Sequence, residues 1–322
     1  MIKIQPKRPV GAIANDFLSM AKDTRKGKIL LKFDQQLSQK LPAVQQRFLQ
    51  FLYSKLDEIL IGDPDKLSQI IEEAETYPAF QRNTKKLKAS LKKIFDYELF
   101  IQKQSQKGWN AYWLAAQLGV DTCPYCNRLY THTVSNEKKD IIRPQFDHFW
   151  DKASYPFLAV SLYNLIPSCN VCNSNLKGKA KFSTDTHLHP HLHGFDNDVR
   201  FFLNIHDLSF FAGNIQAGTI DFLFSDEQST IAQKAQNNIR DFKLRELYAE
   251  HLDYVHEQVN RSLVYSPEYL DSLFKQFEGT LFRSQSDLIR FITASYVDDS
   301  DLQKRPLSKL TKDITQQFGL EG

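Results

Sequence analysis

Between residues 146 and 178 the sequence FDHFWDKASYPFLAVSLYNLIPSCNVCNSNLKG places an Asp-His pair, several asparagines and a Cys-x-x-Cys in one short region. Each residue type suits a different task. An imidazole titrates near neutrality and can take a proton from water. Carboxylate and amide oxygens suit hard cations such as Mg2+ or Mn2+. Phosphodiester hydrolysis needs both, a base for the attacking water and a cation for the phosphoryl and leaving oxygens. On this reading His148 is the base, unshifted and ready at neutral pH, while Asp147 and Asn173 hold one catalytic Mg2+ or Mn2+.

The thiols point to a second metal. Cys123 and Cys126 form CPYC, and Cys169 and Cys172 form CNVC. Two such knuckles can close a tetrahedral all-thiolate site around structural Zn2+, which leaves no open coordination position. A dithiol redox role for CPYC is the rival, but the strand-first context of such motifs is missing.

The elements that must position these groups are mostly helical. The chain has 322 residues, 25% charged and 42% apolar, with only 12 glycines and a net charge of +3. That composition fits a folded protein of two domains, or one domain with large flanks, and it neither demands nor excludes a phosphate-rich partner. No apolar run approaches the roughly 20 residues of a membrane span. The start MIKIQPKRPVGAIANDF lacks a secretory signal pattern, so a cytoplasmic location is expected. That opening reads as a short basic extended arm, with Pro6 and Pro9 stopping any helix.

Helical spacing runs from Pro42 to Gly62. It restarts at Asp63-Pro64 and again over TKKLKASLKKIFDYELF, whose lysines face outward as solvated surface. WNAYWLAAQLGV then delivers the chain to Cys123. Between the knuckles, RLYTHTV, the turn SNEKKD and IIRPQF read as a β-hairpin ending at Asp147 and His148, with a helix beginning in CNSNLKGKAKF. VRFFLNIHDLSFF and GTIDFLF read as strands, and helices return beyond residue 227, one of them capped by Ser266-Pro267.

The pattern Cys-x-x-Cys, Asp-His, Tyr-Pro, Asn-Leu-x-Pro-x-Cys-x-x-Cys-Asn resembles the zinc-containing HNH endonucleases of the ββα-metal fold. The resemblance implies that His148 is the general base and Asp147 an ion ligand. It also makes Asn164 the residue that secures the loop orienting the base, and Asn173 the second ligand, in an H-N-N version of the motif with Asn170 and Asn175 as neighbouring alternatives. The flanks MIKIQPKRP, LRELYAEH and RPLSKLTKDI are similar to PtuB-type HNH proteins of retron and Septu anti-phage systems. That likeness implies a defence nuclease acting with a PtuA-type ATPase, and in the retron setting with a reverse transcriptase and its RNA-linked DNA.

The expected architecture is mainly α with a small central ββα-metal, zinc-stapled core, an α+β arrangement. The expected domains are an N-terminal helical region over residues 1–118, a nuclease core over 119–200 and a mostly helical region over 201–322. Arg143, Lys177, Lys179 and Lys181 can neutralise backbone phosphates beside a cut. His187, His189, His191 and His193 alternate, yet Pro190 interrupts them, so they read as a loop outside the site. The rival from another class is a catalytically inactive zinc-stabilised nucleic-acid-binding or scaffold module.

Overall fold

Helix boundaries follow local capping chemistry. Asp63 accepts a hydrogen bond from the Lys66 amide at 2.8 Å and Pro64 fills the first helical position, so the Pro64–Glu75 helix starts with its orphan amides served. Thr84, Asn110, Ser229, Ser266 and Ser284 cap later helices in the same way. The computed structural model describes residues 1–82, 84–102, 108–136 and 139–320. Within them the protein is mainly α with a few short strands, and no helix is long and apolar enough to cross a membrane. Contacts divide the chain into two compact units: Gln5–Val120 with Thr131–Leu192, and Met1–Ile4 with Asp121–Tyr130 and His193–Gly322.

The first of these units is a helical layer carrying small strand pairs. The continuous helix expected from Pro42 to Gly62 is two, Ala43–Ser54 and Leu56–Ile61, parted at Lys55. The stretch from Lys85 divides likewise into Lys85–Ile94 and Tyr97–Phe100, the second capped by Asp96, whose carboxylate accepts from the Leu99 amide at 3.0 Å. Phe17, Phe33, Phe48, Phe95 and Phe100 are fully buried and build the core, with Phe33 edge-on to Phe95 at 5.6 Å.

The strands depart from the expected hairpin. β1 (Val134–Ser135) pairs with β2 (Asp140–Ile142), and the turn residues Glu137 and Lys138 lie outside the described residues. Asp147 and His148 belong to a separate strand, β3 (Gln145–His148), which pairs antiparallel with β4 (Leu165–Ser168). Pro144 explains the separation, because a residue without an N–H cannot carry the first ladder through. β4 leads directly into a π-helix, Val171–Lys177.

In the other unit, β5 (Val199–Ile205) and β6 (Gly218–Phe224) form an antiparallel pair, with the helices Thr230–Asp241, Leu244–Ala249, Leu252–Val264, Pro267–Phe277, Gln285–Thr293 and Ser308–Gln317 following. Asp313 is buried against Lys309 at 2.6 Å and accepts from the Phe201 amide at 2.8 Å, tying the last helix to β5. The opening residues are not a free basic arm. Met1, Ile2 and Ile4 are core residues, and the Ile2 amide donates to the Pro124 carbonyl at 2.9 Å. The apolar side chains bury the segment that the two lysines and prolines had marked as exposed. As expected, residues 1–9 with their two prolines form no helix, and the Val10–Lys22 helix begins directly after Pro9.

Candidate functional site

The four cysteines are buried thiols whose sulfurs all lie within 4.8 Å of one another. Each knuckle has the local turn such a cluster needs. The Arg128 amide points at Cys126 Sγ at 3.4 Å, and the Cys172 amide at Cys169 Sγ at 3.4 Å. Asn127 adopts the left-handed conformation, φ 48°, that folds CPYC back on itself. Four soft sulfur donors converging on one centre fit Zn2+ in a structural role. The protein therefore carries a metal-binding site of the all-cysteine class in a mostly helical fold.

A second polar centre is built on β3, β4 and the loop of residues 149–164 between them. Asn164 is fully buried and braces that loop from within. Its carbonyl oxygen accepts from the Trp150 amide at 2.7 Å, and its amide nitrogen donates to the Trp150 and Leu158 carbonyls at 3.1 and 3.0 Å. The loop so braced presents the Ala159 carbonyl to His148 Nε2 at 2.9 Å. A carbonyl can only accept, so Nε2 carries the proton and Nδ1 carries the lone pair. Among the described residues Nδ1 has no hydrogen-bond partner.

Asp147, His148 and Asn173 line one polar cavity of about 260 Å³, together with Tyr97, Asp151, Lys152 and Lys177. Burial pushes the His148 pKa down to about 4; the bond to the Ala159 carbonyl and the nearby Asp147 act the other way, but desolvation prevails. The expectation of an unshifted imidazole is thus corrected: His148 is neutral at pH 7, and a weaker base than a solvated histidine. The Tyr97 ring lies edge-on to it at 4.5 Å, and burial raises the Tyr97 hydroxyl to about 12.

Lys177 differs from its expected role. It is 4% exposed, and its ammonium sits 2.8 and 3.0 Å from the two Asp147 oxygens, also donating to the His148 carbonyl and, at 3.2 Å, to Phe149. It cannot meet a backbone phosphate from there, whereas Lys179 and Lys181 remain exposed. The Asn173 amide nitrogen donates to Gln145 Oε1 at 2.8 Å. With the Asp147 charge already matched by Lys177, this arrangement does not fit a divalent ion held on Asp147, since the ion would stand beside the ammonium. Arg143 lies over the Tyr112 and Phe146 rings and bonds to the Pro144 carbonyl at 2.6 Å.

The histidine run is a loop, and its rings pack. His187 stacks on Phe182 at 3.6 Å, His189 lies 4.2 Å from Phe149, and His191 is edge-on to Tyr163 at 5.1 Å. Sequence reading missed Tyr97, Asp151 and Lys152 as cavity residues. Tyr97 has no local signal, because a distant helix supplies it. Asp151 and Lys152 stand three and four residues beyond His148, and proximity was the one available clue. The chain matches no protein-family model, no curated protein and no solved structure.

Proposed function

We propose that the His148 cavity hydrolyses phosphodiester bonds in nucleic acid, with the four-cysteine zinc site as a structural staple. The observation that carries the reading is the neutral imidazole, pinned through Nε2 to Ala159 so that Nδ1 is left as the acceptor in a polar cavity. His148 takes the proton from the attacking water at Nδ1 as the water oxygen bonds to phosphorus, and returns it to the departing sugar oxygen as that bond breaks. The exposed Lys152 ammonium of the same cavity faces the phosphoryl charge. Asn164 keeps the loop, and hence the Ala159 carbonyl, in register with the ring. The order of strand, braced loop, strand and helix, with Asn173 in the last element, supports a ββα-metal core of the HNH kind. Asp147 with Lys177 fixes the end of β3 in this role, and no step is routed through a divalent ion.

A second reading is favoured by two specific observations, the neutralised Asp147 and the lowered basicity of His148. It is a zinc-stabilised nucleic-acid-binding or scaffold module without hydrolysis. A nicking assay on plasmid DNA and on RNA, with Mg2+, Mn2+ and chelator arms, separates the two. Under the hydrolytic reading His148→Ala slows cutting by about 10²–10⁴-fold. Equal, negligible cutting by both proteins in every arm leaves the scaffold reading. A role in anti-phage defence beside a PtuA-type ATPase, or a retron reverse transcriptase with its RNA-linked DNA, belongs to the same proposal through sequence resemblance. Co-purification from the host tests it.

A further inference from the structure

Beside the His148 cavity lies another, of about 270 Å³ and opposite character. Tyr97 and Pro156 give it apolar walls above the buried Phe95, while Lys88, Lys92 and Lys152 stand around them. Tyr97 and Lys152 line both cavities, so the two adjoin at those side chains. The position of the charge has a helical cause. Lys88 and Lys92 are one turn apart on the Lys85–Ile94 helix, whose Leu87, Leu91 and Ile94 are buried and turn the lysine face outward. Lys85, Lys86 and Lys93 extend that exposed positive face.

Among the described lining residues Glu98 is the one acid, and it is 3.9 Å from Lys152. Both are exposed, so that contact holds Lys152 only weakly. The Lys152 ammonium also rests 4.3 Å from the centre of the Tyr97 ring. It is placed to turn from the ring toward an anion at small cost.

We infer that this cavity receives one unstacked base of a single-stranded nucleic acid, while Lys88, Lys92 and Lys152 take the flanking phosphates. The inference rests on the hydrolytic reading of the adjoining site. An accessible ring, here Tyr97, inside a basic rim supplies the two parts that single-strand binding requires, because any base can stack and every phosphate is an anion. A duplex keeps its bases paired and must open to offer one. The volume falls just below the roughly 300–1,000 Å³ of sites for drug-sized ligands, which suits a single ring system. A neutral apolar ligand would leave the lysines without a role.

The test is binding, read by fluorescence anisotropy on full-length zinc-loaded His148→Ala protein without added Mg2+ or Mn2+. Four probes of equal length are used: single-stranded DNA, single-stranded RNA, a DNA duplex, and a DNA strand with abasic linkers at its centre. The base-bearing DNA or RNA strand should bind about tenfold tighter than the abasic strand, and the tighter of the two identifies the substrate. Ala153→Trp, introduced at an exposed lining residue, should fill the cavity and erase that preference. Lys88→Glu with Lys92→Glu should weaken all probes together. Equal binding of abasic and base-bearing strands, tightest binding of the duplex, or a preference that survives in a folded Ala153→Trp protein overturns the inference. Base-dependent binding by a protein that never cuts overturns only the hydrolytic proposal, and His148-dependent cutting without base preference overturns only this one.

Discussion

At the four cysteines and in the His148 cavity, polar atoms are held in opposite ways. The thiols are all of one kind and turn toward a common centre within 4.8 Å of one another. In the cavity nearly every group is matched from within the chain: Asp147 by Lys177, His148 Nε2 by Ala159, and Asn164 by Trp150 and Leu158. The first arrangement depends on an ion from solution, and the second on tertiary packing. Metal supply should therefore govern the one, and single side-chain deletions the other.

The comparison breaks most sharply at zinc. Removing the metal with a strong chelator, or replacing Cys172 with Ser, should abolish cooperative unfolding. Structural zinc contributes on the order of 10 kcal/mol or more in small zinc domains. Elemental analysis should find one zinc per chain, and a metal-free protein with an unchanged melt would remove the site. Next in size is Lys177→Met, which leaves Asp147 buried without its partner and should cost about 3–5 kcal/mol in urea unfolding. Adding Asp147→Leu should recover most of that loss, and no recovery would mean that the pair is not what Lys177 supplies.

Asn164→Ala should cost about 1–3 kcal/mol through the loop groups left unsatisfied, with no change in zinc content. A loss of zinc would instead tie the two regions together. The smallest effect is a pH dependence. Burial lowers the His191 pKa from 6.5 to about 4, so the folded state favours the neutral ring. Its stabilising contribution is complete above pH 6.5 and is lost as pH falls toward 4. His191→Gln should flatten the melting temperature over that window, and an unaltered acid limb would assign it elsewhere.

Local chemistry was legible in the sequence where it is satisfied locally. Asp63-Pro64 and Ser266-Pro267 start helices as read, and the two strands after residue 198 pair antiparallel. The thiol spacing alone announced a metal cluster. Features set by distant partners were not legible. Which strand pairs with Asp147 and His148 is decided across a loop of residues 149–164, and Pro144 is the only local hint that the nearer hairpin is excluded. The His148 pKa is a property of its burial, which no neighbouring residue encodes. Lys177 looked like a surface lysine until the π-helix carried it inward to Asp147. The opening residues misled because their lysines and prolines outweighed Met1, Ile2 and Ile4, which the core claims.

The CPYC turn is fastened by residues far along the chain. The Tyr248 hydroxyl donates to the Cys126 carbonyl at 2.5 Å, the Leu307 amide to the Asn127 carbonyl at 2.6 Å, and the Lys309 amide to Asn127 Oδ1 at 3.1 Å. During synthesis that turn must wait for nearly two hundred further residues before its fastenings exist. The backbone shape that aims Cys123 and Cys126 at the metal is thus underwritten by segments that carry no metal ligand, so a change at Tyr248 or Leu307 reaches the thiols without touching them.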